Sequence, residues 1–314
     1  MKRIIALALT VVMCLSLLTG CGATGLKIDG KNVDLGYYAY FFGSSYPTYA
    51  MEGSEFISGV AMESLKQFIA VKNLAKELKV ELEPLERKAV IDSINAQVNE
   101  MGKSNWNMVL NALDLTEKQF LDIQYNYTLM NKLRDYFYNR ETGVSPLTND
   151  QVAASYKEQF IHCRHILINT QTAQSEADFG KALKTADEAY KRAAAGEDFV
   201  ELMHEYSEDP GQPDEGYYFT EGQMVTQFED AAYALAEGEI SEPIQSTYGY
   251  HIIQRLPVED EYALSQVDTY YDYYASIEFA KKIDAITAEM EVETTEEFYN
   301  YDLSNAVGVF GSGS

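Results

Sequence analysis

Two rhythms alternate along this chain: apolar residues that recur every three to four positions, and apolar residues that recur every second one. The first governs the N-terminal half. Between Glu55 and Val80, Val60, Leu65, Phe68, Ile69, Val71, Leu74 and Leu78 fall near helical spacing and predict a long helix. Ahead of it, the alternation from Leu26 to Val33 about Asp29-Gly30 predicts a short hairpin. A helix near Leu35–Phe42 and a loop rich in Gly, Ser and Pro47 follow. Pro84 opens a further helix, where its missing N–H is harmless. Thr116-Glu117-Lys118-Gln119 is a capping box leading into Leu121, Tyr125, Leu129 and Leu133.

Between Pro146 and Pro257 the rhythm changes. His162–Ile168 is a strand candidate, 177–195 a helix ended by Gly196, and Phe199, Leu202, Met203 and Tyr206 mark a short amphipathic helix. A Pro/Gly/acidic loop spans 209–216, 228–235 is helical, and Tyr248–Leu256 is a closing strand. That order predicts a compact α+β domain. Helical spacing then returns from Leu264 to Met290, and this stripe needs a partner to bury it. The N-terminal helices are the obvious one, which makes the α+β domain an insertion in a helical domain. The predicted divisions are a leader at 1–20, a helical domain at 21–157, the inserted domain at 158–257 and a returning helix at 258–303. The Gly/Ser-rich ending at 304–314 is expected to fray.

Charge narrows the functions. With 24 Lys+Arg against 49 Asp+Glu, net −25, the surface repels phosphate backbones, so nucleic acid is excluded as a partner. At the start, Lys2 and Arg3 precede an apolar run from Ile4 to Leu18, the length of a signal-peptide core. It ends in Leu18-Thr19-Gly20-Cys21, which resembles the lipobox of bacterial lipoproteins. That resemblance implies a lipid on Cys21 and tethering to the outer face of a bacterial cell membrane. Cys14 departs with the leader, so Cys163 has no disulfide partner.

Several spaced segments carry a second resemblance. They are Arg164-His165-Ile166-Leu167-Ile168, Gly196-Glu197-Asp198-Phe199, Tyr206-Ser207-Glu208-Asp209-Pro210 and Gly222-Gln223-Met224-Val225 with Phe228-Glu229-Asp230. Gly238-Glu239-Ile240-Ser241-Glu242-Pro243 and Tyr248-Gly249-Tyr250-His251-Ile252-Ile253 complete the set. Over about a hundred residues they resemble the parvulin peptidyl-prolyl cis/trans isomerases. Lipobox, helical segment, inserted parvulin and trailing helix together resemble the PrsA-type extracytoplasmic foldases and, more distantly, SurA-like chaperones.

Prolyl isomerisation breaks no σ bond. Its barrier of ~18–20 kcal/mol is amide resonance, so catalysis means binding the twisted amide better than either planar form. No metal or cofactor is required, and none is expected. The resemblance implies His165, Asp209 and His251 as catalytic residues, with Met224, Phe228, Phe219 and Tyr248 binding substrate. The expected partners are unfolded or newly secreted chains bearing X-Pro bonds. The sequence departs from the family where a Gly-Gly-Asp-Leu-Gly-Trp-Phe-like run is expected. Here Glu215-Gly216-Tyr217-Tyr218-Phe219 stands two residues short, so either Tyr217 or Tyr218 fills the space of the missing leucine or the proline pocket is shallower and slower. No Arg or Lys occurs from Asn169 to Ala177, which argues against a phosphoserine-proline preference. The competing function is a non-enzymatic holdase in which the parvulin domain serves only as structure or for peptide docking.

Overall fold

The computed structural model describes residues 25–311, so the expected leader, the Cys21 lipidation position and residues 312–314 lie outside it. In chain order the first elements are β1 (Leu26–Ile28), β2 (Lys31–Val33), α1 (Leu35–Tyr49), α2 (Ser54–Leu78), α3 (Pro84–Met101), α4 (Lys103–Ala112) and α5 (Glu117–Tyr138). Next come α6 (Asn149–Gln159), β3 (Ile161–Asn169), α7 (Glu176–Ala194), α8 (Phe199–Tyr206), β4 (Tyr217–Phe219), α9 (Thr226–Ala234), β5 (Ile244–Gln245) and β6 (Gly249–Leu256). The chain closes with α10 (Asp260–Ser265), α11 (Val267–Ala288), β7 (Val292–Thr294), α12 (Glu296–Tyr299) and α13 (Ser304–Gly311). No helix among the described residues is long and apolar enough to cross a membrane.

Two compact units divide the chain, one from Leu147 to Ala275 and the other formed by the segments on either side. The flanking unit is built on α1, whose Tyr37, Tyr38, Phe41 and Phe42 are buried with Ile57, Leu65 and Phe68 of α2. Tyr37 and Phe68 approach to 5.1 Å between ring centres, and Trp106 meets Phe120 edge-on at 4.8 Å. The hairpin at Asp29-Gly30 forms, and β7 adds to it from the far end of the chain in the order β2-β1-β7.

Two expectations fail here for one reason. The Gly/Ser/Pro47 stretch predicted as a loop is the second half of α1, and part of the ending predicted to fray is helix α13. Gly43 explains both. A Cβ at that position would lie 2.7 Å from the Ala306 carbonyl, so glycine is what lets α13 pack on α1. Ala306 is buried there, with Val307, Val309 and Phe310 packed around it. Ser44 and Ser45 turn their hydroxyls back to the Phe41 carbonyl, which keeps them compatible with a helix.

The compact unit is wider than the predicted inserted domain at 158–257. It runs from Leu147 to Ala275, because α6 and the first part of α11 pack in it. α6 is held by a capping box at Thr148 and stacks Tyr156 on Phe160, with Tyr270 of α11 edge-on to both. The returning helix is therefore shared. Its first part packs in this unit, and from Ser276 onward it joins the other, where Phe279 lies 6.4 Å from Phe137.

Within the inserted unit a four-stranded antiparallel sheet runs β4-β3-β6-β5. The β3–β6 ladder is continuous from His162↔Leu256 to Asn169↔Gly249. Strand alternation sends Ile166, Ile168, Tyr250 and Ile252 to one face, covered by Ala186, Ala189 and Ala193 of α7 and Phe199 and Leu202 of α8. Ile161, Cys163 and Ile253 go to the other, against Phe219 of β4 and Phe228 and Ala232 of α9. The second face also carries His165 and His251.

Candidate active site

His165 and His251 sit two residues apart in register, since His165 pairs with Ile253 and His251 with Leu167. Both rings rise from the same face, stack at 13° with centres 5.2 Å apart, and bring their Nδ1 atoms to 3.0 Å. His165 Nε2 lies 3.1 Å from Asp209 Oδ2, and His251 Nε2 lies 2.7 Å from Ser246 Oγ. Tyr217 donates its hydroxyl to the same Asp209 oxygen at 3.2 Å. A polar chain thus runs Ser246–His251–His165–Asp209–Tyr217.

The chain has one consistent proton assignment. Asp209 as a carboxylate only accepts, so His165 carries its proton on Nε2 and accepts at Nδ1. His251 then donates from Nδ1, leaving Nε2 to accept from Ser246. The Ser246 oxygen in turn accepts from the Tyr248 N–H at 3.1 Å. Both rings are neutral in this arrangement. Burial depresses both, and His251, which also faces His165, falls to about 4. Burial alone would raise Asp209, but hydrogen bonds from His165, Gly211 N–H and Tyr217 outweigh it and hold the carboxyl below its ordinary value. Burial and the neighbouring Asp209 push Tyr217 up to about 12, so it remains a donor.

Backbone bonds aim the acidic loop. β4 covers the edge of β3 only from Ile161 to Cys163. Further along that edge, Leu167 N–H donates to Ser207 Oγ, Glu208 N–H to the Leu167 carbonyl at 2.8 Å, and Asn169 N–H to Glu208 Oε2. Asp209 follows directly and is delivered opposite His165. Gly216 makes the step into β4 at φ +90, where a Cβ would lie 2.4 Å from the Cys163 carbonyl.

Aromatic edges form the apolar side. Phe228, 4% exposed, points edge-on at both rings, 5.2 Å from His165 and 5.3 Å from His251. Met224 packs in the same cluster and is partly exposed. Its loop is pinned by the Glu229 carboxylate, which accepts from Gly222 N–H and Met224 N–H. Tyr248 stands at the rim, 45% exposed. Phe219 needs correction as a substrate-binding residue. It is 1% exposed, and its ring lies behind Phe228 at 5.9 Å and against Tyr233, so it supports the slot from beneath.

Of the two tyrosines left to wall the slot, Tyr217 faces the site. Tyr218 alternates to the opposite face, stacked between His162 at 3.9 Å and Tyr262 at 3.7 Å. Ser246, Ser207 and Glu229 are not marked by sequence reasoning. Ser246 lies five residues before His251 in a hairpin, and a hydroxyl within reach of a paired histidine is the one signal that points to it. Cys163 is buried, with its thiol pushed up to about 12, and takes no part.

A central antiparallel sheet with paired buried histidines, an opposed carboxylate and Phe228 edge-on to both rings defines a parvulin-type prolyl isomerase domain. Residues 165–256 match the rotamase family described as a PPIC-type PPIASE domain. Over a wider span, the chain is 31% identical to foldase protein PrsA 2 of Listeria monocytogenes serovar 1/2a, covering 81% of this chain and 76% of that one. It is 29% identical to foldase protein PrsA of Caldanaerobacter subterraneus subsp. tengcongensis across 81% of this chain and 82% of that one. A shorter stretch, 40% of this chain and 41% of the other, is 36% identical to foldase protein PrsA 4 of Bacillus cereus. The chain belongs to the PrsA foldase family. It is a parvulin-type peptidyl-prolyl cis/trans isomerase.

Proposed function

We propose that this foldase isomerises X-Pro bonds of newly exported, incompletely folded chains, with the proline ring over Phe228 and Met224 and its carbonyl beside Asp209. The observation that carries the assignment is the shared Asp209 oxygen, held by His165 and Tyr217 at the mouth of the aromatic slot. Amide resonance places negative charge on the carbonyl oxygen. A fixed carboxylate nearby disfavours that charge and so favours the single-bonded, twisted amide, which lowers the barrier by differential stabilisation. His165 and His251 act as positioning residues: their neutral, mutually bonded rings hold Asp209 and shape the slot. Tyr248 lines the rim on which the residues flanking proline rest.

The leader and Cys21 support export and lipid anchoring on the outer face of the cell membrane, with the acidic surface keeping the tethered protein soluble. Clients are recognised by exposed proline in an apolar context and not by phosphate, in keeping with the lack of cations between Asn169 and Ala177.

A protease-coupled cis/trans assay with the intact chain in nonionic detergent tests the roles. Asp209→Asn keeps shape and removes charge, and kcat/KM is expected to fall by about 10²-fold, the low end for an electrostatic group in a site. Equal rates for parent and variant, with both folded, rule out the carboxylate role.

A further inference from the structure

A cavity in the flanking unit is lined by three lysines in an acidic protein. Ile28, Asp29, Lys31 and Val33 of the β1–β2 hairpin face Ile69, Lys72, Asn73 and Lys76 of α2 across a space of about 250 Å³. Residues 69, 72, 73 and 76 form one helix stripe at i, i+3, i+4 and i+7. A stripe turned toward a hairpin is ordinarily filled with hydrocarbon. Here three of its four positions are polar, two of them lysines, and the space between stays open.

The chain holds 49 acidic residues against 24 basic ones. Lys72 pairs with Asp122, whereas Lys31 and Lys76 have no ion-pair partner among the described residues. Lys31 and Lys76 thus line the same cavity as Lys72. Its apolar part is made by the buried Ile28 and Val33 with Ile69. Asp29 uses Oδ1 to accept from the Glu291 N–H at 3.0 Å, so Oδ2 is left to accept from a ligand hydroxyl, and the Asn73 amide can donate or accept beside it.

We propose that this cavity binds a polyol phosphate: Lys31, Lys76 and Lys72 take the phosphate, Asp29 and Asn73 the hydroxyls, and Ile28, Val33 and Ile69 the carbon body. Its volume equals about eight waters at ~30 Å³ each, enough for a phosphomonoester on a three-carbon body. A phosphate accepts from several ammonium groups at once, whereas the Asp29 carboxylate repels an anion that offers no hydroxyl on that side. The same chemistry is presented by a free ester and by a lipid head group.

Titration calorimetry of the intact chain in nonionic detergent with glycerol 3-phosphate tests the site. Saturable binding is expected, weakened at least tenfold in the Lys31→Gln/Lys76→Gln double variant and unchanged in Lys118→Gln, an exposed lysine outside the cavity. Both variants should melt with the parent and keep its isomerase rate. No saturable binding, or equal binding by the double variant, overturns the site. Inorganic phosphate binding as tightly as the ester overturns the polyol assignment. Flotation with phosphatidylglycerol vesicles, competed by free glycerol 3-phosphate, separates the sources. Lysine-dependent, competable retention identifies the head group, and its absence with calorimetric binding intact identifies the free ester.

Discussion

The two faces of the β3–β6 sheet are written by the same strands in alternate residues, yet they are stabilised in opposite ways. One face buries Ile166, Ile168, Tyr250 and Ile252 under α7 and α8 in a core that is almost wholly hydrocarbon. The other interleaves Cys163 and Ile253 with the buried pair His165 and His251. Each hydrocarbon side chain on the first face contributes about 1.5–3 kcal/mol on burial. On the second, imidazoles give up hydration and regain it only through a complete hydrogen-bond chain, so their net contribution is small while the loss of any link is costly. The first face can hold the sheet while the second carries the polar chain.

That contrast predicts the largest effect on the face without polar groups. Ile252→Ala, at a fully buried position, should cost roughly 2–5 kcal/mol of stability through lost transfer energy and the cavity left behind. Denaturant titration of the intact chain checks it, and the catalytic rate per folded molecule should be unaltered. A specific loss of rate in the folded fraction would mean that the faces are not independent.

Acid sharpens the comparison, because only one face can titrate. An unfolded histidine takes up a proton near 6.5, while His251 resists to about 4 and His165 is also depressed. Below pH 6.5 the unfolded chain binds more protons than the folded one, so stability is full above 6.5 and falls toward pH 4. His251 alone is worth about 3 kcal/mol over that window at ~1.36 kcal/mol per unit. Asp209, depressed as well, adds a loss in the same direction at lower pH. Melting curves between pH 7.5 and 4 should show this decline, and in His165→Phe/His251→Phe, if it folds, the slope between 6.5 and 4 should flatten.

Removing one link of the polar chain should cost somewhat less. His251→Ala strands His165 Nδ1 and the Ser246 hydroxyl, for roughly 1–3 kcal/mol. Thermal melting and isomerase rate should fall together. An unchanged melt would assign the ring to substrate contact and not to the scaffold.

How much of this is legible in sequence follows from what carries the information. His165, His251 and Asp209 stand in recognisable segments; strand alternation, a local rule, puts the two histidines on one face, while Asp209 is delivered by its loop. The pinning of Ser207 and Glu208 along β3 joins their side-chain oxygens, and the Glu208 N–H, to main-chain groups of Leu167 and Asn169, partners that sequence spacing does not reveal. Glu229 acts through backbone N–H groups of a loop five to seven residues earlier, a contact that looks like any exposed helical glutamate in the sequence. α13 is illegible for another reason. Its glycines and serines read as fraying, and only the facing Gly43 explains why a short helix docks there. Phe219 failed as a slot residue because alternation fixes its face but not its depth.

The smallest predicted effect is also the most discriminating. Tyr217 stands where the family pattern is short, on the site-facing side of β4, and joins the polar face through a single hydroxyl. Tyr217→Phe keeps the ring and deletes that bond. If Tyr217 only walls the slot, the variant behaves as the parent. If its hydroxyl helps hold the Asp209 charge, the carboxyl rises toward its ordinary value and kcat/KM falls by about 3–10-fold, near 1 kcal/mol for one hydrogen bond. The melting temperature should hardly move, since the lost bond lies at a partly exposed edge. The pH–rate profile separates the cases: a shift of its acidic limb upward in Tyr217→Phe ties the hydroxyl to the carboxylate, whereas a uniform drop at all pH values leaves Tyr217 a wall of the slot and nothing more.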